Sequence, residues 1–258
     1  MVAALGRWAA QRIRGYTYAL GYFAQVLRET FLFGRRRHGA ARVLVMQVLF
    51  TGVEALPIVS LIALLIGAVI IVEGATLLPR FGQTGLLYQI LVVVIVRELG
   101  PLLTAFIVTA RSGTAIATEL GNMVVSHEIE AYVSIGIDPV AYLAVPRMLG
   151  VTVAMMALTT YFIFFGLFGS FIVSQLAKPV PFTEYIRSLL MAFQARDVLS
   201  PVVKSMVFGV IVSTVATFQG FKVQVSVTEI PRAVIRAVSQ GFVLVFLADA
   251  IITLVYYV

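Results

Sequence analysis

The chain has 258 residues, of which 60% are hydrophobic and only 12% charged, with a formal charge of +7 and no cysteine. A soluble domain carries about 45–50% apolar and about 25% charged residues, so a buried core alone does not absorb this excess (mean hydropathy +1.01) and lipid must bathe much of the surface. Disulfides and thiolate metal sites are excluded.

Residues 5–44 come first, as a helix and a basic segment. Trp8, Ile13, Tyr16, Leu20, Phe23 and Leu27 recur at spacings of three to five, with Arg12, Arg14 and Arg28 elsewhere around the helix. That pattern predicts an amphipathic helix over 5–33 lying in the membrane interface; an additional short span is the alternative. Arginines interrupt every apolar stretch, which argues against a cleavable signal peptide.

A spanning helix needs about 20 mostly apolar residues. Five stretches meet that requirement: 50–72, 86–110, 148–176, 199–220 and 237–258. None shows the alternation of a membrane barrel. The fold class is an all-α integral membrane protein, one membrane domain over 1–258, with five transmembrane helices and an N-terminal interfacial helix. Arg and Lys in the connecting segments set the orientation. Placing the N-terminus inside puts 13 cationic residues on the inner side and four, Arg80, Lys178, Arg187 and Arg196, on the outer. N-in, C-out follows, with 111–147 and 221–236 as inner loops and 177–198 as an outer loop. The positive charge then serves topology and lipid headgroups, and calls for no nucleic acid. In the outer loop Thr183 is expected to cap a short helix carrying Ile186, Leu189, Leu190 and Phe193.

Four ionisable residues fall well inside the spans, Arg97, Glu98, Lys204 and Asp249, with Glu54 near the inner end of the first. Each costs about 2.5–3.5 kcal/mol at the bilayer centre on insertion scales. Arg97 and Glu98 point about 100° apart on a helix, so each needs a partner elsewhere or a wet cavity. Pro101 frees the Arg97 carbonyl and is expected to bend the helix, and Gly100 to admit another backbone. One reading is interhelical ion pairs, such as Arg97 with Asp249 or Glu98 with Lys204. The other is a functional cavity, which the position beside a kink favours for Glu98.

Catalytic motifs are missing. The lysines are Lys178, Lys204 and Lys222, and none follows a glycine, so no P-loop exists. "HEIEA" at 127–131 lacks the second histidine of a zinc-protease helix, and no G-x-S-x-G elbow occurs. The chain is expected to be no enzyme and to hold no metal and no cofactor. The long inner loop, "ARSGTAIATELGNMVVSHEIEAYVSIGIDPVAYLAVPRML", is expected to be helical in pieces broken at Gly121, Gly136 and Pro139. Ser126 would cap a helix from His127 to Ile135, with Glu128 and Glu130 favouring its N-terminal dipole. A partner protein can push on such an element.

"RELGPLLTAFIVTARSGTAIATELGNM", followed by "GIDP" and "PRMLG", resembles the permease of MCE-type lipid transport systems, the MlaE/YrbE family, over nearly the whole chain. The inner loop is also similar to the E-A-A-x-x-x-G loop of other ABC importers. There Glu130, Ala131 and Gly136 keep the first spacing while Pro146 comes three residues early, which makes it a functional analogue. The resemblance implies a homodimeric ABC transporter permease, multi-pass in a bacterial inner membrane. Its partners would be a separate cytoplasmic ATPase, which binds ATP and Mg, and a periplasmic MCE-domain ring protein. Its cargo would be phospholipid or a related apolar lipid, carried for outer-membrane lipid homeostasis. It further implies a lipid site lined by Ile70, Leu77, Leu78 and Leu99, hydrated by Glu98 and Arg97. Coupling to the ATPase would run through Glu128, Glu130, Ala131, Gly136 and Asp138. Plain helix packing is the alternative for the aliphatic residues. The rival of another class is a proton-coupled secondary carrier using Glu98, Lys204 and Asp249 as a relay. It would leave the inner loop without a task, and the internal repeat it calls for is not visible.

Overall fold

The computed structural model describes residues 2–32, 40–81, 86–177, 179–224 and 226–257. Arg35, Arg36, Arg37 and Lys178 lie outside them, as do the side chains of Trp8, Ile13 and Tyr16. Among the described residues every regular element is helical. Helix α1 (Val2–Leu32) precedes five segments long and apolar enough to cross a membrane: Arg42–Leu77, Leu87–Val125, Val140–Leu176, Arg196–Phe221 and Val227–Tyr256.

The first span is built from α2 (Ala40–Gly52), one 3₁₀ turn and α3 (Leu56–Leu77). Pro57 sits in the first turn of α3, where its missing N–H costs nothing. Val59, Ala63, Gly67 and Ile71 recur every four residues and form the buried stripe of α3. They pack on α8 (Val145–Ala177). The two backbones touch: a Cβ on Gly67 would fall 1.9 Å from the Gly166 carbonyl oxygen, and one on Gly169 2.6 Å from that of Leu64. Lipid tails are as apolar as leucine, so small residues and close packing must join helices here.

The second span runs through α4 (Leu87–Leu91), a π-helical stretch Val92–Leu99, α5 (Gly100–Val108), a second π turn Thr109–Gly113 and α6 (Thr114–Val125). It is longer than the charge pattern suggests, because residues 111–125, read as the start of a loop, continue the helix. Arg111 is accommodated there by an ion pair with Glu54 and by the Phe50 ring, 5.0 Å from its guanidinium carbon. Gly121 does not break the helix either. It is buried with Val223 and Ile230 against it.

Three local expectations are corrected. Gly100 makes room for no foreign backbone: its N–H donates to Ile95 O, five residues back, and a Cβ would lie 2.7 Å from that same oxygen and 3.1 Å from Ile163 Cγ1. The π turn ends directly before Pro101, which takes the first-turn position of α5 where its missing N–H is tolerated. Ser126 does not cap the next helix, because its hydroxyl donates back to Asn122 O at 2.8 Å. His127, at φ 60°, makes the turn into α7 (Glu128–Ser134). Thr183 lies inside the first turn of α9 (Phe182–Ala192), whose N-cap is Pro181.

Helices α10 (Ala195–Phe221) and α11 (Ile230–Tyr257) complete the bundle. The core is centred on Val151, Met155, Leu158 and Phe162 of α8 and on Phe208 and Val212 of α10. Helix α1 docks through Tyr22 and Val26, two residues outside the predicted anchor set. Val26 is wholly buried with Ala144, Val145 and Met148, and Tyr22 stacks near Phe218 and Phe221. Burial pushes the Tyr22 hydroxyl pKa well up, a hydrogen bond to Thr217 of 3.0 Å opposing it in part. Leu20 and Phe31 stay exposed, the apolar edge an interfacial helix would offer to lipid.

Candidate functional site

The π-helical stretch of the second span aims two neighbouring charges at two levels of α10. Lys204, fully buried in α10, puts its Nζ 2.6 Å from Glu98 Oε2, 2.8 Å from Asp249 Oδ1 on α11 and 2.8 Å from Thr253 Oγ1. Thr253 stands one turn beyond Asp249, and its hydroxyl lies 3.4 Å from Glu98 Oε2. Three of the four sequence-predicted charges therefore meet, joined by a threonine that sequence alone did not single out. A lysine in a low-dielectric interior tolerates its charge when opposite charges and acceptors surround it. Two carboxylates and a hydroxyl supply that shell.

Arg97, one residue earlier, ion-pairs instead with Asp197, seven residues before Lys204 and on the same face of α10. Asp197 is wholly buried and held twice over. Its second oxygen accepts the Gln194 N–H at 2.7 Å, and the Asp197 backbone N–H donates in turn to the Gln194 side chain, a reciprocal cap on α10. Sequence reasoning left Asp197 in the outer loop. The signal that marks it is its three-residue spacing from Gln194 at the start of an apolar run. Two ion pairs thus clamp the π segment to α10, and Pro201, between Asp197 and Lys204, opens that helix's bond ladder.

The cluster is unequally buried. Lys204 is sealed, Asp249 is 15% exposed, and Glu98 is 30% exposed. Glu98 is thus where the charge reaches the surface of the chain, with Leu99 partly exposed beside it. Ile70 packs against Ile71, Leu91 and Ile95 at the α9 end of the first span; Leu78 is partly exposed, and Leu77 is 45% exposed. These aliphatic residues lie on partly open helix faces of this single chain, and the two cavities described here have other linings. The first, of about 370 Å³, opens between α8 and α10 and has Asp197, Thr159 and Ser205 among its walls. Helix α9 packs nearby on α8, its Tyr185 lying 2.7 Å from Ser170 and donating to Leu167 O at 2.9 Å. Burial raises the Tyr185 pKa to about 12, the Ser170 hydrogen bond opposing it.

At the other end of the bundle α7 has no buried residue. Ile129 and Tyr132 fix it, the latter 5.5 Å from Tyr142. Glu128, Glu130 and Ala131 face outward, together with Val133 and Ile135, 60% and 71% exposed. Gly136 closes the turn at φ +79°, in open space, so backbone conformation alone demands glycine there. Asp138 accepts the Val140 N–H at 2.9 Å and starts the third span.

The sequence profile described as Permease MlaE matches residues 44–255. The chain belongs to the MlaE permease family. A probable ABC transporter permease protein of Rickettsia typhi is 30% identical over 207 residues, 80% of each chain. The intermembrane phospholipid transport system permease protein MlaE of Haemophilus influenzae is 28% identical over 215 residues, 83% of this chain and 82% of its own. Protein TRIGALACTOSYLDIACYLGLYCEROL 1 of the Arabidopsis thaliana chloroplast is 27% identical over 203 residues, 79% of this chain and 58% of its own. As an MlaE permease with five helices of spanning length, the chain is a multi-pass inner-membrane transport subunit of the ABC kind rather than an enzyme.

Proposed function

We propose that two copies of this permease enclose a cavity for phospholipid, and that a separate cytoplasmic ATPase drives lipid exchange with a periplasmic MCE-domain ring. The N-terminus and α7 then face the cytoplasm and α9 the periplasm, as the cationic residues of the loops favour. One observation carries the reading. A fully buried lysine holds two carboxylates, and one of these, Glu98, emerges midway along a predominantly apolar spanning helix. Such a point is costly in lipid and useful in a wet cavity that must meet a headgroup.

In this reading acyl chains lie against Ile70, Leu77, Leu78 and Leu99, each buried CH₂ contributing about 0.8 kcal/mol. ATP-driven closure pushes on α7, and Tyr132 passes the displacement to Tyr142 and the third span. The second span moves with it through α6, which ends two residues before α7. The clamped π segment then shifts Glu98 and Leu99 together and narrows the cavity. Reconstitution with ATPase and ring protein tests this. Glu98→Ala should lower ATP-dependent phospholipid transfer while the assembly still copurifies. Unchanged transfer would remove Glu98 from the mechanism.

A further inference from the structure

A second cavity, of about 440 Å³, lies at the α7 end of the bundle between α2, α6 and the start of α8, away from the charge cluster. Drug-sized ligand sites run from about 300 to 1,000 Å³. Its walls include Arg42, Met46, Phe50, Ile116, Glu119 and Arg147. Arg147 is 4% exposed; one guanidinium nitrogen donates to Leu143 O at 3.1 Å and another meets Glu119 at 2.7 Å. Arg42 stands exposed at the rim, where the first span begins. Phe50 is held by Arg111, which lies over its ring and donates to its carbonyl at 3.2 Å.

The position fixes the depth. Three spans of 36, 39 and 37 residues end near this cavity, and at 1.5 Å per residue each exceeds a hydrocarbon layer of about 30 Å. The arginines therefore lie at headgroup level. Met46, 60% exposed, continues into the exposed apolar residues Val45, Leu49 and Val53 of the first span, a strip along which acyl chains can lie. A cationic recess opening onto an apolar strip at that depth has the shape of a lipid.

We propose that this cavity binds an anionic phospholipid of the adjoining leaflet, its phosphate between Arg42 and Arg147 and its chains along Met46 and Phe50. Guanidinium groups match phosphate oxygens in a two-point geometry. Glu119 is the competitor for Arg147. It is 58% exposed, and an ion pair open to water on one side holds weakly. The site lies beside α6, so its occupancy bears directly on the element leading to α7. The inference requires only that the helices span a bilayer, and it stands whether or not Glu98 serves transport.

The test uses the full chain in mixed micelles with a diazirine-labelled phosphatidylglycerol, the same probe on phosphatidylcholine, and inorganic phosphate as competitor. Phosphatidylglycerol should crosslink within residues 43–50 and 115–119, in preference to phosphatidylcholine and undisturbed by phosphate. Arg42→Gln, at an exposed position, should weaken labelling about tenfold, as loss of one charge-assisted contact implies. Arg147→Gln should do the same, with Arg147→Lys restoring part of it and Glu119→Gln strengthening it. Equal labelling by both lipids, or labelling indifferent to Arg42 and Arg147, would overturn the proposal. Displacement by inorganic phosphate would overturn the assignment to lipid.

Discussion

Lys204 is the residue on which most of the buried charge depends. Removing one partner of a buried ionic cluster costs about 3–5 kcal/mol, since the remaining charges lose their compensation. Lys204→Ala should accordingly lower the thermal midpoint in detergent far more than Glu98→Gln, whose carboxylate already reaches the surface. Equal shifts for the two would show the cluster to be evenly solvated. Tyr185 gives a second check at this scale. Its folded pKa of about 12 lies above the 10.0 of an unconstrained tyrosine, so the stability it contributes is complete below pH 10 and is lost as pH rises towards 12. Tyr185→Phe should flatten that part of an alkaline unfolding curve measured by protease resistance. The charged residues were legible in the sequence because ions inside apolar runs stand out. Their pairing was not: Asp197 looked like a loop residue, and only the Gln194 cap and the π segment's altered projection bring it to Arg97. Thr253 was hidden because a threonine in a spanning helix usually satisfies itself on its own backbone.

At the scale of elements, the five spans followed from length and hydropathy, while their ends did not. The second helix continues to Val125 because Glu54 and Phe50 accommodate Arg111, tertiary contacts that no window of sequence contains. The two π segments of the second span were equally invisible. The Gly100–Pro101 pair marks the first of them, yet the same pair is compatible with an ordinary kink. The α3–α8 crossing offers the sharpest test of packing. Gly67→Val would drive side-chain atoms into the Gly166 carbonyl, at or beyond the upper end of the roughly 1–3 kcal/mol that overpacking costs. Gly21→Ala, in open space on α1, should be neutral or should stabilise by up to about 1 kcal/mol. Comparable unfolding midpoints for the two variants would show that the helices do not touch there. In the α7 turn Gly136→Pro replaces a φ of +79° with one fixed near −65°. ATP hydrolysis in the assembled transporter should then run without proportionate lipid transfer, as a coupled ATPase and transfer assay would detect. Intact coupling would count against this turn as the contact.

For the whole molecule, residence in the membrane was the most legible property. A chain that is 60% hydrophobic folds into five helices of spanning length, and we propose that a separate ATPase moves it through the exposed α7. What the sequence concealed is which surfaces meet lipid and which would meet the proposed second copy. Both are apolar, and the exposed aliphatic faces of the first and fifth spans suit either. The central claim is that energy for transport arrives only through a nucleotide-hydrolysing partner. The direct measurement is transfer of labelled phospholipid from proteoliposomes to the ring protein, with ATPase, ATP and a proton gradient supplied singly and together. Transfer should require ATPase and ATP and should ignore the gradient. Transfer driven by the gradient alone, with the permease as the sole protein in the bilayer, would contradict the account.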